Sequence, residues 1–154
     1  MDRNSRIILR NTMRFLSNKG YKMITEFALP NKKRVDLIGI NREKKVIIIE
    51  VKSNFMSIKK DKKWENYLNY CNLFYFALSE VPEKFKFKKK IGFIKSTRLE
   101  TKIVKDCEYI KMKKLKKNKI IFNFAASAAS KFHRLVDPFF KKRSNNSIYI
   151  YKNR

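Results

Sequence analysis

The sequence predicts an α/β domain in which a mixed central β-sheet is flanked by helices, with an added helix near the C-terminus. Short apolar runs rich in Val, Ile, Phe and Tyr alternate with segments whose apolar residues recur at helical spacing. Only 3 Gly and 3 Pro occur in 154 residues, which argues against a repetitive or disordered chain. This length suits one hydrophobic core, so we assign residues 1–138 to a single domain and residues 139–154 to a basic tail.

The first half of the chain predicts a helix, three strands and a second helix. Residues 4–18 carry apolar side chains roughly at helical spacing, and Asn18-Lys-Gly20 ends that helix. Strands are predicted at three apolar runs: residues 23–29, 35–40 and 46–52. The polar residues 41–44 would join the last two strands as a hairpin. Residues 58–70 turn polar and then aromatic at helical spacing, which predicts the second helix.

The second half predicts further strands and a long final helix. Strands are predicted at four runs, of which the last two are weaker: residues 73–78, 91–94, 102–104 and 109–112. A helix is predicted over residues 118–136, with Asn118 as a plausible N-cap. Its apolar residues form a helical stripe that comprises Ile121, Phe124, Ala125, Ala128, Phe132 and Leu135. An apolar patch at residues 148–151 of the tail could add a strand.

The charge balance points to a polyanionic partner. The chain has 39 Lys and Arg against 13 Asp and Glu, a formal net charge of +26. Such an excess destabilises the compact state by self-repulsion unless a polyanion relieves it, which makes nucleic acid the first candidate partner. The alternative is a genome drifting towards A+T-rich codons, because Lys, Ile, Asn, Phe and Tyr are all abundant.

The sequence also argues against several classes of site. Cys71 and Cys107 are isolated from each other and from His, so a zinc site is not expected, and the chain is interpreted as reduced and cytoplasmic. His133 is the sole histidine and lies one position from the apolar stripe of the last helix, so we interpret it as a structural or surface residue and expect no Ser-His-Asp triad. The 3 glycines cannot build a phosphate loop, so no nucleotide cofactor is expected. No run reaches the roughly 18 apolar residues that a membrane span requires.

Two predicted strands carry charges that an ordinary core does not tolerate. Asp36 interrupts the apolar run 34–40, and Glu50-Val51-Lys52 ends the run 46–52. An ionised group in an apolar interior must be paired, neutralised or bound to metal. Glu50 and Lys52 are two residues apart on one strand and therefore project from the same face, and Asp36 on the adjacent strand can reach the same place.

Two interpretations of these charges stay open. Two carboxylates at that point form an oxygen-rich site suited to Mg²⁺ or Mn²⁺, which can activate a water and neutralise charge on a phosphodiester. A lysine beside them can orient or deprotonate that water and stabilise the developing negative charge. The competing interpretation is a structural ion pair of Asp36 with Lys52 or Arg34 at a strand end.

The order Asp36, then Glu50-x-Lys52, resembles the catalytic signature of the PD-(D/E)xK nuclease superfamily. This resemblance implies a restriction-endonuclease-like core for the fold, with Asp36, Glu50 and Lys52 as the catalytic residues. It also implies that Asp36, Glu50 and the backbone carbonyl of Val51 hold the metal.

A further resemblance covers most of the chain, from about residue 8 to residue 135. Six blocks carry it: Thr25–Leu29, Arg34–Asp36, Glu50–Ser53, Asp61-Lys-Lys-Trp-Glu-Asn-Tyr67, Tyr70–Ala77 and Phe122–Ala129. Together they are similar to the MmcB-like family of bacterial DNA repair proteins, which is grouped with the same nuclease fold and implies a DNA-directed role. The sequence departs from the family pattern at Ser57-Ile58, where Asp-Phe is expected, and at Asn72, where Asp is expected.

The resemblance adds accessory candidates around the motif. Glu26 would supply an extra acid from the strand before Asp36. Lys63 and Tyr67, four residues apart, would share one helix face and help to hold DNA, similar to the Gln-x-x-x-Tyr element of some of these nucleases. Asp61 either supports the site or caps the helix. We interpret Trp64 as core packing rather than as a platform for base stacking.

Basic side chains after the motif and in the loop 84–90 are the DNA-binding candidates: Lys62, Lys63, Lys86, Lys88, Lys89 and Lys90. The loop interleaves Phe with Lys, a composition that can grip phosphates and stack on exposed bases. The alternative is a solvated loop anchored by two buried Phe residues.

The sequence therefore predicts a DNA repair protein of PD-(D/E)xK nuclease type that binds DNA and hydrolyses phosphodiester bonds with Mg²⁺ or Mn²⁺. The first alternative is a non-catalytic DNA-binding repair accessory protein with a vestigial nuclease site. A basic RNA-binding protein is a further alternative, but it gives the two acids no role. Many nucleases of this fold act as dimers, so a homodimer stays open, although the sequence identifies no interface.

Overall fold

The computed structural model describes residues 1–137 and residue 139. Within that part, the elements in chain order are α1 (Arg3–Asn18), β1 (Lys22–Ala28), β2 (Arg34–Ile40), β3 (Val46–Val51), α2 (Phe55–Lys60), a 3₁₀ segment (Lys63–Tyr70), β4 (Leu73–Leu78), β5 (Ile91–Ser96), β6 (Thr101–Lys105) and α3 (Lys114–Val136).

A mixed six-stranded sheet lies at the centre of the described residues, with its strands in chain order from β1 to β6. The pairs β1–β2, β2–β3 and β5–β6 are antiparallel, whereas β3–β4 and β4–β5 are parallel. Parallel neighbours need a crossover connection. The first crossover contains α2 and the 3₁₀ segment, and the second is the loop 79–90. The predicted mixed sheet with flanking helices and a C-terminal helix is confirmed.

Helix α1 covers one face of the sheet. Asp2 caps its N-terminus, because its Oδ1 accepts a hydrogen bond from the Ser5 backbone N–H at 3.0 Å. Ile8 and Leu16 are buried and pack against the side chains that β2 and β3 project towards this face. The chain leaves the helix at Gly20, whose φ of 89° is a left-handed conformation that glycine adopts at little cost.

The opposite face is covered by the 3₁₀ segment, the loop 79–90 and α3. Its core is largely aromatic, with Phe74, Phe76 and Phe93 projecting from the sheet. Trp64 is 4% exposed and meets Phe76 edge-on, with ring centroids 5.9 Å apart. The interpretation of Trp64 as a core residue is confirmed. Val46 and Ile48 of β3 project to this face, so alternation places Glu50 there as well, and both Glu50 and Asp36 lie near Tyr67 of this core.

The predicted helix over residues 58–70 is wrong in form. Helix α2 ends at Lys60, and a separate 3₁₀ segment begins at Lys63. Asp61 lies between them in an extended conformation, and its Oδ1 accepts a hydrogen bond from the Lys63 N–H at 2.8 Å. A short polar side chain of this kind offers the backbone an alternative to continuing the helix, so the chain turns here.

The predicted strand at residues 109–112 is also wrong. These residues form no regular element, and Asn72 uses the backbone groups that a strand would offer to a neighbour. The Ile110 N–H donates to the Asn72 carbonyl at 2.8 Å, and Asn72 Nδ2 donates back to the Ile110 carbonyl at 2.9 Å.

Helix α3 begins at Lys114, so Asn118 lies inside the helix and is not its cap. The apolar stripe of this helix is only partly buried. Phe124 packs against the core, whereas Phe132 and Leu135 are 63% and 82% exposed. The helix contacts the edge strand β1 and the 3₁₀ segment, and its final residues from 132 to 137 are all exposed. The predicted patch at residues 148–151 lies outside the described residues.

None of the helices over residues 1–137 combines the length and the apolarity that crossing a bilayer requires. Cys71 is buried, Cys107 is half-buried, and both are free thiols. His133 is exposed on α3, in line with its interpretation as a surface residue.

Asn72 ties the beginning of β3 to the segment after β6. Its Oδ1 accepts a hydrogen bond from the Val46 N–H at 2.9 Å, and its Nδ2 also donates to the Tyr109 hydroxyl at 3.1 Å. Val46 begins β3 and Glu50 lies near its end, so Asn72 is remote from the two acids. The departure from the family pattern at this position therefore concerns packing rather than the site.

Replacing Asn72 with Asp should lower the free energy of unfolding by about 3 kcal/mol at neutral pH, because a buried carboxylate cannot donate either hydrogen bond. Urea denaturation measures the loss. Asn69 is exposed on the 3₁₀ segment, and Asn69→Asp adds the same charge as a control. Equal destabilisation by the two variants would contradict this account.

Candidate active site

The two acids meet where β2 and β3 stop pairing. The backbone register of these strands extends as far as Leu37 opposite Ile49, so Asp36 and Glu50 stand opposite each other one step further on. Asp36 Oδ2 accepts a hydrogen bond from the Val51 N–H at 2.8 Å. In return, Glu50 Oε1 accepts one from the Asp36 N–H at 3.2 Å. Each carboxylate thus binds a backbone N–H of the other strand, which fixes both side chains at the end of the sheet.

Burial makes the charged form of Glu50 unfavourable. The residue is 8% exposed on a strand whose six residues are all buried. Loss of hydration, followed by repulsion from Asp36, raises the pKa of Glu50 to about 8. The Asp36 N–H and the Lys52 ammonium act in the opposite direction but are outweighed. In the metal-free protein Glu50 is therefore mostly protonated at neutral pH.

Asp36 is less deeply buried than Glu50. Burial raises the pKa of Asp36 above its ordinary value, and the hydrogen bond from the Val51 N–H opposes that shift. Repulsion from Glu26 adds to the increase in its pKa, while Lys52 and Arg34 reduce it. Two acids with raised pKa values at the end of one sheet are the pattern that a functional site produces.

Lys52 is held by Asp61 and not by Asp36. Its Nζ lies 2.8 Å from Asp61 Oδ2, and the two side chains are 18% and 29% exposed. The other oxygen of Asp61 accepts the Lys63 N–H, so this residue joins the lysine of the motif to the start of the 3₁₀ segment. The two interpretations of Asp61, as a support for the site and as a cap, both describe part of its role.

Arg34 also has a different partner, since its Nε lies 2.6 Å from Glu26 Oε2. The interpretation that Asp36 forms a structural ion pair with Lys52 or Arg34 is therefore wrong. Glu26 stands opposite Asp36 in the β1–β2 register and has a φ of 52°, a left-handed conformation that is unusual for glutamate. Such strain often marks a functional position. Pairing the predicted strands β1 and β2 as an antiparallel hairpin would have placed Glu26 opposite Asp36 from the sequence alone.

Lys63 and Tyr67 do not share a helix face. A 3₁₀ helix has three residues per turn, so residues four apart are rotated by about 120° from each other. Tyr67 is accordingly buried, while Lys63 is exposed. Burial, together with the nearby charges of Glu50, Asp61 and Asp36, raises the pKa of Tyr67 to about 12, so its hydroxyl stays neutral beside the acids.

Exposed lysines lie in two places: beside the acids, and on the loop 79–90, whose Lys88, Lys89 and Lys90 precede β5 at the other end of the sheet from Glu50. Lys62 and Lys63 are exposed next to Asp61, and the loop candidates Lys86, Lys88, Lys89 and Lys90 are exposed too. The two groups adjoin, because the Lys88 ammonium lies 5.3 Å from the centre of the Trp64 ring and pairs with Glu65 on the 3₁₀ segment.

The aromatic residues of the loop are anchors. Phe85 and Phe87 are partly buried, with ring centroids 4.8 Å and 5.3 Å from that of Phe93. They hold the loop against the core, so base stacking by these rings is not available. Of the two interpretations of the loop, the one with buried Phe anchors is confirmed.

The donor set near the acids is made of oxygen. Asp36 and Glu50 each use one carboxylate oxygen for a backbone N–H, which leaves the second oxygen of each for a ligand. The carbonyl of Val51 belongs to the same strand end. Within residues 1–137 and 139, no group of three or more His, Cys, Asp or Glu side chains could hold a metal. A cation here would rely on two carboxylates and water, which is the mode that Mg²⁺ commonly uses.

The described residues thus form an α/β protein with two hydrogen-bonded acids and a lysine at one end of a mixed sheet. The chain belongs to the MmcB-like family, because the model of that family, described as DNA repair protein MmcB-like, matches residues 2–139. Membership indicates a role in DNA repair.

A solved structure has the same fold. It is described as the SPO1766 protein of unknown function from Silicibacter pomeroyi, and it matches with a TM-score of 0.80 and 25% sequence identity. The match covers 92% of this chain and 97% of that chain, so the sheet and its flanking helices are shared almost throughout. A search of curated proteins found no match.

The raised pKa of Glu50 predicts a specific pH dependence of stability. Between its ordinary value of 4.5 and about 8, the folded protein retains a proton that the unfolded chain has lost. Folding is therefore favoured at low pH in this window, and stability falls as pH rises through it. Glu50→Gln should remove this fall, which is on the order of a few kcal/mol, while its amide oxygen can still accept the Asp36 N–H.

Urea denaturation at a series of pH values across this window measures the effect. Glu43→Gln is the matched control, because Glu43 lies on the exposed hairpin and Lys45 lowers its pKa. The assignment to Glu50 fails if the stability of Glu50→Gln depends on pH as strongly as that of the wild-type protein.

Proposed function

We propose that this protein is a metal-dependent deoxyribonuclease of PD-(D/E)xK type that acts on DNA during repair. The observation that carries the proposal is the mutual hydrogen bonding of Asp36 and Glu50 at the end of the sheet, with Lys52 directly after the last residue of β3. Burying an acid with a raised pKa lowers the stability of the fold, and a catalytic role would explain why such a residue is kept there.

Asp36, Glu50 and the Val51 carbonyl would hold one Mg²⁺ or Mn²⁺ ion. Hard oxygen donors suit these cations, and the free oxygens of the two carboxylates supply them. The bound cation would neutralise charge on the phosphodiester and lower the pKa of a water. Glu50 would have to lose its proton first, so the cation and the proton compete for the same oxygens.

Lys52 would act on the substrate or the attacking water, and Asp61 would hold Lys52 in place. The Lys52 ammonium would stabilise negative charge that develops on the phosphate or orient the attacking water. Asp61 acts through Lys52 and is a positioning residue, since its carboxylate holds the ammonium 2.8 Å away. Tyr67, neutral and buried beside the acids, could donate a hydrogen bond to either carboxylate or to the substrate.

DNA would lie across a lysine-rich rim that runs from the acids, along the 3₁₀ segment, to the loop 79–90. Lys62 and Lys63 adjoin Asp61, and Lys86 to Lys90 extend the same surface. Contacts from such lysines go mainly to phosphates, which gives affinity without readout of sequence.

A second candidate function is a DNA-binding repair accessory protein whose site no longer cuts. Two observations favour it: Lys52 is occupied by Asp61, and Glu50 is mostly protonated at neutral pH in the absence of metal. Family membership supports both functions equally, because it indicates DNA repair without specifying cleavage.

Cleavage assays separate these two functions. With Mg²⁺ or Mn²⁺ and a panel of single-stranded, duplex, flapped and four-way DNAs, the wild-type protein should cut at least one substrate. Lys52→Ala and Asp36→Asn should each lower the rate by about 100-fold or more, since each removes a charge that the transition state needs. Glu43→Gln, remote from the site, should cut like the wild-type protein.

DNA binding by the same proteins completes the test. Asp36→Asn should bind DNA as tightly as the wild-type protein or more tightly, because a charge that repels phosphate is lost. Cleavage by Asp36→Asn at the wild-type rate would rule out the nuclease. Tight binding without cutting under any metal would establish the accessory protein.

The rim lysines should set the salt dependence of DNA binding. Lys62→Glu/Lys63→Glu should weaken binding to all sequences alike, and should reduce the slope of log K against log salt by about 2 if both lysines contact phosphates. The control is Lys22→Glu/Arg42→Glu, which changes charge equally at the other end of the sheet. Electrophoretic or fluorescence titrations over a salt range measure the slopes. Identical slopes for the two double variants would contradict the proposal that DNA contacts this rim.

A further inference from the structure

The outward face of α3 carries a regular apolar pattern. Six apolar residues and Asn118 recur at alternating spacings of three and four along its length: Leu115, Asn118, Phe122, Ala125, Ala129, Phe132 and Val136. All seven are exposed, and the largest are Leu115 at 85%, Phe122 at 72% and Phe132 at 63%. We call this row the α3 seam. Its period of 3.5 residues is that of a coiled-coil contact face.

The α3 seam is distinct from the side of the helix that packs on the sheet. That inner side uses Ile120, which is buried, together with Ile121 and Phe124, which are partly buried. The helix is therefore apolar on two sides, and only one of them is used within the described residues. Exposed rows of large apolar side chains mark sites of association.

We propose that the α3 seam pairs with the same seam of a second copy of this chain, with the two helices antiparallel. In this arrangement, residues at the first place of each heptad on one helix face residues at the fourth place on the other helix. Leu115 faces Phe132 of the second copy, and Phe122 faces Ala125. Each bulky side chain meets a smaller or complementary one, and every contact occurs twice, as a two-fold interface requires.

Length and composition favour this occupant. The seam covers three heptads of a 23-residue helix, which is enough for a short coiled coil. Small side chains in the middle of the helix, among them Ala125 and Ala129, allow the two helix axes to approach closely.

Charge favours the antiparallel direction. Lys114, Lys116, Lys117 and Lys119 crowd the first turns of α3, whereas the last turns carry Lys131, Arg134 and, at the cap, Asp137. A parallel pair would place the two lysine groups side by side. The antiparallel pair places each lysine group beside the C-terminal end of the other helix, where the carbonyl groups carry partial negative charge.

The net charge makes this dimer different from one bridged by DNA. Two chains of +26 each repel one another, so salt should strengthen association through the α3 seam. Association through bound DNA should weaken with salt instead. The inference does not depend on the proposed nuclease activity.

Sedimentation equilibrium of the DNA-free full chain at low and high salt tests the proposal. The wild-type protein should dimerise, more tightly at high salt. Phe122→Glu/Phe132→Glu should weaken dimerisation by about tenfold or more, although it lowers the net charge and both rings are mostly exposed in the monomer. Leu99→Glu/Met56→Glu changes two other exposed apolar residues and makes the same charge change, so it should dimerise like the wild-type protein.

The relative direction of the two helices is tested by oxidising a mixture of the Leu115→Cys and Phe132→Cys proteins. The wild-type protein, treated in the same way, shows any disulfides that Cys71 and Cys107 form. Antiparallel pairing predicts a disulfide between the two different variants and little between identical ones. The proposal is overturned by a wild-type monomer at all salt concentrations, by a dimer that Phe122→Glu/Phe132→Glu leaves intact, or by cross-links mainly between identical variants.

Discussion

The structure of the site depends on the mutual hydrogen bonding of Asp36 and Glu50. Each carboxylate takes a backbone N–H of the other strand, at the step where β2 and β3 cease to pair. The strands can therefore separate without leaving buried donors unsatisfied, which would otherwise cost free energy. The same bonds aim both acids at one point. The cost is the burial of Glu50, which is expressed as a pKa of about 8.

The surrounding elements follow from this arrangement. Lys52 directly follows the last residue of β3, and Asp61 holds its ammonium while also setting the start of the 3₁₀ segment. That segment then buries Trp64 and Tyr67 against the face from which the acids project. The loop 79–90 is anchored on the same core by Phe85 and Phe87, which brings Lys88 against Trp64 and Glu65 of the 3₁₀ segment. Core packing and the Lys88–Glu65 ion pair together position the charged rim.

The sheet, the first helix and the three central residues of the site could be predicted from the sequence, because a charge inside an apolar strand is a strong local signal. The contacts made by Lys52 and Arg34 could not, since Asp61 reaches Lys52 across an irregular turn and Glu26 reaches Arg34 across a strand pair. The prediction of one helix over residues 58–70 is wrong because helical spacing does not distinguish α from 3₁₀ geometry. On α3, periodicity showed apolar residues but could not show which side meets the sheet.

The central claim is that Asp36 and Glu50 form a metal site in which the cation displaces a proton from Glu50. Calorimetric titration of Mn²⁺ near neutral pH, in buffers of different ionisation enthalpy, measures that proton directly. The account predicts release of close to one proton per bound ion, and weaker binding without release for Glu50→Gln. Binding that is unaffected by Glu50→Gln, or no binding by the wild-type protein, would contradict it.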